Sequence, residues 1–265
     1  MELGRSNFWY TPIMETTETI KVISKLQKTS VEVFKVIARS LKIGINEQDI
    51  AELIRLEFKK RNIVDFWYDV PIIVLVGTKR FINGANSDYA TKSPSRASTL
   101  KEGDTIYIDL HPQDSKTRLW GDWNMMVVFH PRKGIDDEQV AFLKEMQEIH
   151  REGITKFTPA MTGANIINYY FDTYKKRGIT PLIGKKPDVG HTIHAGLKVN
   201  ANRLLLTAKN ATPIGGYIYA IEPGGSRSKK SGEGLVVGRF EECVYIPKEG
   251  TAVLLGNQEF LPTII

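Results

Sequence analysis

Apolar residues Ile20, Ile23, Leu26, Val33, Phe34 and Ile37 recur at three- and four-residue steps with charges between them. That spacing predicts one long amphipathic helix over residues 15–41. Lys42-Ile43-Gly44 ends it, and a second helix opens on Asn46 as N-cap, with Asp49 in its first turn and Ile50, Leu53, Ile54, Leu56 and Phe58 toward a core. The period then changes. Residues 70–76, Val-Pro-Ile-Ile-Val-Leu-Val, form a short β-branched run bounded by Gly77 and read as a buried strand. Residues 77–103 turn to Asn, Ser, Gly and Pro and read as a loop. Residues 105–110 and 119–129 read as strands joined by the polar turn 111–116, an antiparallel hairpin that would set Asp109 and Asp122 side by side. Helices are predicted again over 136–157 and 162–177, followed by strands within 190–196, 217–222 and 235–246. Two helices followed by strands, repeated once, predict an α+β architecture with an antiparallel sheet covered on one face by helices. With no long linker, residues 1–265 read as a single domain.

Composition narrows the function classes. A chain of 265 residues, 42% hydrophobic and 25% charged, fits an ordinary globular protein. Its net charge of +6 is scattered, with no basic block interleaved with aromatics, so nucleic acid is not an expected partner. The single cysteine, Cys243, excludes an intrachain disulfide and suits a reducing compartment; the first twenty residues show no secretory pattern, and no apolar run approaches membrane-spanning length. The expectation is a cytoplasmic protein without a membrane partner.

The candidate chemistry lies around Gly103-Asp104-(x4)-Asp109 and Trp120-Gly121-Asp122-Trp123. Two aspartates in apolar strands need a positive partner, and a metal ion supplies one; the competing reading is that both cap turns. His191, Glu222 and Glu241 are further candidates, and one imidazole with four carboxylates suits two divalent ions such as Mn²⁺, Fe²⁺, Co²⁺ or Zn²⁺. Such a pair can lower the pKa of a shared water and polarise a carbonyl, which is hydrolytic chemistry.

In order and flanking residues, the two aspartate motifs, Gly190-His191, Ile221-Glu222-Pro223-Gly224 and Arg239-Phe240-Glu241-Glu242 resemble the five metal-ligand motifs of the pita-bread metallopeptidases, the superfamily of methionine aminopeptidases, aminopeptidase P and prolidase. The resemblance implies a pita-bread fold, a curved antiparallel sheet covered by two pairs of helices in pseudo-twofold halves. It further implies Asp109 as ligand of one metal, Asp122 and Glu241 as bridges, His191 and Glu222 on the other side, and Glu222 as general base. The implied activity is cleavage of a peptide or related C–N bond, nearest the aminopeptidase P and prolidase branch. The substrate would be a small peptide or carboxylate-bearing small molecule; the oligomeric state stays open, with a homodimer among the options.

Three departures qualify the resemblance. The aspartates are thirteen positions apart, slightly more than the family spacing, which a hairpin loop absorbs cheaply. Thr91 stands where the family carries a histidine before Pro94, and Lys198 stands near a second family histidine, with His194 close by at a different spacing. Lys198 or His194 would then serve the oxyanion, Lys198 favouring an acidic substrate; the alternatives are a solvent-facing lysine and a core histidine. Altered substrate residues beside retained ligands also leave open a metal-dependent oxidase or lyase acting on a small carboxylated metabolite, or a non-catalytic binding protein. Of the remaining features, residues 224–234 read as a mobile loop with Arg227, Lys229 and Lys230 near the mouth, and Phe66-Trp67-Tyr68 as core packing or a pocket wall.

Overall fold

The computed structural model describes residues 17–85, 92–182, 188–193, 204–256 and 262–264. Helices α1 (Thr17–Ala38) and α2 (Glu47–Lys60) are followed by strands β1 (Asp65–Phe66) and β2 (Ile72–Val76) and helix α3 (Thr78–Ala85). Strands β3 (Thr105–Leu110), β4 (Pro112–Gln113) and β5 (Trp123–Phe129) complete the first half. The second half repeats the order with α4 (Asp137–Lys156), α5 (Gly163–Lys176), β6 (Thr180–Pro181), β7 (Gly190–Thr192), β8 (Tyr217–Ile221), β9 (Gly224–Ser228), β10 (Leu235–Arg239) and β11 (Glu242–Ile246); β12 (Val253–Leu254) and β13 (Thr263–Ile264) are short closing strands.

The helical periodicity holds where it was read. In α1 the buried positions Ile23, Leu26, Ser30, Val33, Phe34 and Ile37 trace one stripe. Asn46 caps α2, its side-chain oxygen accepting from the Asp49 N–H at 2.9 Å. Thr162 and Asn165 close a capping box on α5. Helix α2 packs on β2 of the four-stranded sheet β13-β5-β3-β2, α1 reaches β11 of the four-stranded sheet β12-β11-β8-β7, and α4 and α5 lie against β10 and β6 of the three-stranded sheet β10-β9-β6, around one extensive apolar core. Among the described residues the two four-stranded sheets are joined at the antiparallel bridge Asn124 to Glu241, whose reciprocal N–H···O contacts are 3.4 and 3.3 Å.

Several expectations change. Residues 235–246 are not one strand: β10 pairs with β9, β11 with β8, and the chain changes sheet at Phe240-Glu241. Apolar residues continue across the break (Val236, Val237, Phe240, Val244), so composition carries no mark of it. Residues 224–228 of the expected loop are strand β9, and Arg227 is drawn to α4 by Glu145 at 2.9 Å, over the Phe142 ring. Residues 78–85 form α3 despite the turn signal of Asn83-Gly84. In the β3–β5 hairpin Asp109 faces Asn124 rather than Asp122. Because the same register continues to the Gln113–Trp120 bridge, the residue opposite Asp122 is His111. The offset is two residues, an even number, so both aspartates still point to one face as diagonal neighbours.

Gly190 shows how tightly one corner of this frame is specified. Its φ is +144°, and a Cβ there would lie 2.0 Å from the Ala220 carbonyl oxygen on β8. Gly190→Ala is therefore expected to cost at least about 3 kcal/mol in chemical denaturation, because the neighbouring atom is backbone and cannot rotate away.

Candidate metal centre

The side chains that converge on one face come from the β3–β5 hairpin, from β7 and from the change of sheet at Glu241. Asp109 and His111 are two residues apart along β3 and its extension and so share a face. Asp122 and Asn124 share the same face of the facing strand. His191 lies in β7, next to β8, and Glu241 sits at the change of sheet, held by Asn124 Nδ2 donating to its Oε2 at 2.6 Å. Asp122, Glu241 and His111 are each 2% exposed.

Two ligand sets result, Asp109–His111–Asp122 and Asp122–His191–Glu241, with Asp122 common to both. Its two oxygens are divided between them: Oδ1 lies 3.5 Å from His111 Nε2, and Oδ2 lies 3.3 Å from His191 Nε2. Both imidazoles are fixed through Nδ1, on the Pro71 carbonyl at 3.3 Å for His111 and on the Thr192 carbonyl at 3.1 Å for His191. A carbonyl oxygen only accepts, so Nδ1 carries the hydrogen and each Nε2 lone pair is free for a cation, the usual outer-shell arrangement of a ligating histidine. Tyr107 donates to Asp109 Oδ2 at 3.0 Å. Asp109 Oδ1 is buried with no hydrogen-bond partner, although His111 Nε2 is only 3.0 Å away.

These separations fit a divalent ion. Donors about 2.1 Å from a common cation, at octahedral to tetrahedral angles, lie about 3.0–3.4 Å from one another. Carboxylate oxygens and imidazole nitrogens are also the donors that Mn²⁺, Fe²⁺, Co²⁺ and Zn²⁺ accept. The electrostatics agree: burial, then Asp122, Glu222 and Asp109, push the Glu241 carboxyl well above its ordinary range. Burial alone would raise Asp109 too, but His111 above all holds it below the usual carboxylate value. Burial opposes the charge on His111, yet Asp109 and then Asp122 raise it above 6.5. His111 Nε2 thus lies between two carboxylates that favour positive charge at that place.

Glu222 is not in either ligand set among the described residues. Its Oε2 is paired with the part-buried guanidinium of Arg239. Burial works against the charge on Arg239, but Glu222 first, then Tyr107, Glu241 and Asp109, together hold its pKa above the ordinary value. The register of β8 and β11 still sets Glu222 across from Glu241, one step beyond the Ile221–Glu242 pair. His194, Lys198 and Thr91 lie outside the described residues. Sequence reasoning missed His111, assigned to a turn although its spacing from Asp109 is the strand period. It also missed Lys92, whose charge is opposed by burial and Arg239 and favoured by Asp109, and Asp188, pushed up to about 6 by burial and by Glu222. No motif marks either of them. Trp67 stacks on Trp120 at 4.0 Å and Tyr68 packs edge-on to His111 at 4.2 Å, so the aromatic run is both core and a wall of the centre.

The sequence profile of metallopeptidase family M24 matches residues 21–248. A methionine aminopeptidase of Aquifex aeolicus (strain VF5) is 24% identical over 251 residues, covering 89% of this chain and 95% of that protein. Among solved structures, the X-Pro aminopeptidase of Thermotoga maritima MSB8 superposes with a TM-score of 0.71 at 19% identity over 93% of this chain, and the Xaa-Pro dipeptidase of Bacillus anthracis with 0.72 at 16% over 95%. The chain spans 63% and 64% of those two proteins, but all of the methionine aminopeptidase of Thermotoga maritima, which superposes over 94% of this chain with a TM-score of 0.71 at 18% identity. The likeness establishes the pita-bread fold, and no helix among the described residues is long and apolar enough to cross a membrane. With the family profile covering most of its length, the chain belongs to metallopeptidase family M24.

Proposed function

We propose that this chain is a dinuclear metal-dependent hydrolase that cleaves a peptide or related C–N bond at the amino end of a small substrate, in the manner of an Xaa-Pro aminopeptidase or dipeptidase. The observation that carries the reading is the division of the two Asp122 oxygens between two buried ligand sets. Asp109, Asp122, His191, Glu222 and Glu241 would hold the ions, whose contribution is to activate water and polarise the scissile carbonyl. Glu222 takes the water proton on its carboxylate and returns it to the departing amine nitrogen. Arg239 orients that carboxylate, Asn124 orients Glu241, and Tyr107 orients Asp109. His194 or Lys198, placed by sequence alone, offers a donor to the developing oxyanion. Lys92 and Arg239 add positive charge beside the carboxylates, which suits a substrate with a free carboxylate nearby.

A panel of Xaa-Pro and N-terminal Met peptides, incubated with protein reconstituted in Mn²⁺, Co²⁺, Fe²⁺ or Zn²⁺, tests the activity. Release of the first residue from Xaa-Pro peptides at least about tenfold faster than from Met peptides is the expected result, a difference of about 1.4 kcal/mol in the barrier. Absence of cleavage across the whole panel with metal-replete protein would sink the reading.

A further inference from the structure

We infer that His111 is an additional metal ligand on the Asp109 side of the centre, so that each of two cations is held by its own imidazole as well as by the shared Asp122. This rests on the dinuclear reading and departs from the five-ligand set that the resemblance implied, which contains one histidine.

Four observations converge on it. The hairpin register places His111 opposite Asp122 and two residues from Asp109, so all three side chains point to one spot without any loop having to fold over. Nε2 lies 3.0 Å from Asp109 Oδ1 and 3.5 Å from Asp122 Oδ1, separations close to those of donors around one cation. Asp109 Oδ1 is buried with no hydrogen-bond partner although His111 Nε2 is 3.0 Å away, as expected of two donors aimed at a common third point. Finally, the ring is fixed in the ligating tautomer by the Pro71 carbonyl and braced edge-on by Tyr68. The arrangement reproduces that of His191, whose Nδ1 is also tied to a backbone carbonyl and whose Nε2 faces the other oxygen of Asp122.

The consequence is chemical selectivity. Carboxylates alone make the Asp109 side a hard oxygen site suited to Mn²⁺ or Mg²⁺. An imidazole there shifts preference toward Co²⁺, Fe²⁺ and Zn²⁺.

The test needs no substrate. Cobalt-loaded wild-type protein, His111→Gln and Asp122→Asn would be compared by elemental analysis, by competition with a chelator for each bound equivalent, and by X-ray absorption to count imidazole scattering. Wild type should take two equivalents with an imidazole on each. His111→Gln should lose about half of the imidazole scattering, and one of its two affinities should fall by more than about 100-fold while the other holds, a larger loss than an outer-shell change causes. In wild type selectively ¹⁵N-labelled at its five histidines, two Nε2 resonances should shift on Zn²⁺ titration and His111→Gln should remove one of them. That measurement on wild type stands even where the variant folds poorly: fewer than two shifting Nε2 resonances overturns the inference. Unchanged affinities and unchanged scattering in folded His111→Gln also overturn it while Asp122→Asn still loses metal. If Asp122→Asn retains both equivalents, the dinuclear reading itself fails, and the inference with it.

Discussion

Asp122→Asn should strip both cations, whereas Asp109→Asn should weaken only one. Asp122 is the residue common to the two ligand sets, with one oxygen toward His111 and the other toward His191. Asparagine keeps the shape but replaces an anionic oxygen on one side with an amide nitrogen that cannot ligate, so both sets lose a donor or a charge. Outer-shell substitutions cost about 10–100-fold in metal affinity, so loss of a shared inner ligand should exceed about 100-fold for each ion. The metal contributes several kcal/mol to the barrier of the proposed hydrolysis, which makes the loss of kcat/KM about 10³-fold or more. Elemental analysis after dialysis, beside chelator competition, reads the outcome. If Asp122→Asn and Asp109→Asn each remove one equivalent, the sites are independent and Asp122 does not join them.

How much of this centre is legible in sequence depends on what fixed each position. Helices α1, α2, α4 and α5 follow from apolar spacing and caps such as Asn46 and Thr162, because those signals are local. The hairpin was legible in kind but not in register. Its turn is set by the Asp114 carboxylate accepting from the Lys116 and Thr117 N–H groups, a contact that apolar alternation does not encode. The resulting shift by two residues kept Asp109 and Asp122 on one face and inserted His111 between them. Glu241 owes its place to a change of sheet at Phe240-Glu241, which is determined by pairing with β8 and β9 from far along the chain. Arg239 was visible as part of a motif, but its ion pair with Glu222 spans two strands and no single stretch of sequence contains it. The centre is therefore readable as a set of residue types, while the division of Asp122 between two imidazoles emerges only from strand register.

The same crowding that makes the site a good receptor for cations makes the metal-free protein pay in stability, and Glu241→Gln should expose this. Burial first, then Asp122, Glu222 and Asp109, hold the Glu241 carboxyl well above its ordinary 4.5. From about that value up to its folded pKa, the folded chain keeps a proton that the unfolded chain has released. Its contribution to stability is complete below 4.5 and lost as pH rises through the raised value. Asp188, pushed up to about 6, adds a slope of the same sign that ends near pH 6, and His111, raised by its carboxylate neighbours, adds another in wild type and variant alike. The informative quantity is thus the difference between the two chelator-treated proteins from pH 6.5 to 8.5. Glutamine has no proton to lose and can still accept the Asn124 amide, so the variant should be more stable there by about 1–4 kcal/mol, the range seen when buried ion pairs are replaced by uncharged residues of similar volume. Adding Co²⁺ or Zn²⁺ should reverse the order, because wild type gains the linkage energy of binding and the variant gains little. Thermal melts with and without chelator measure both arms. A metal-free variant less stable than wild type at pH 8 would mean that Glu241 is compensated in the folded chain without metal.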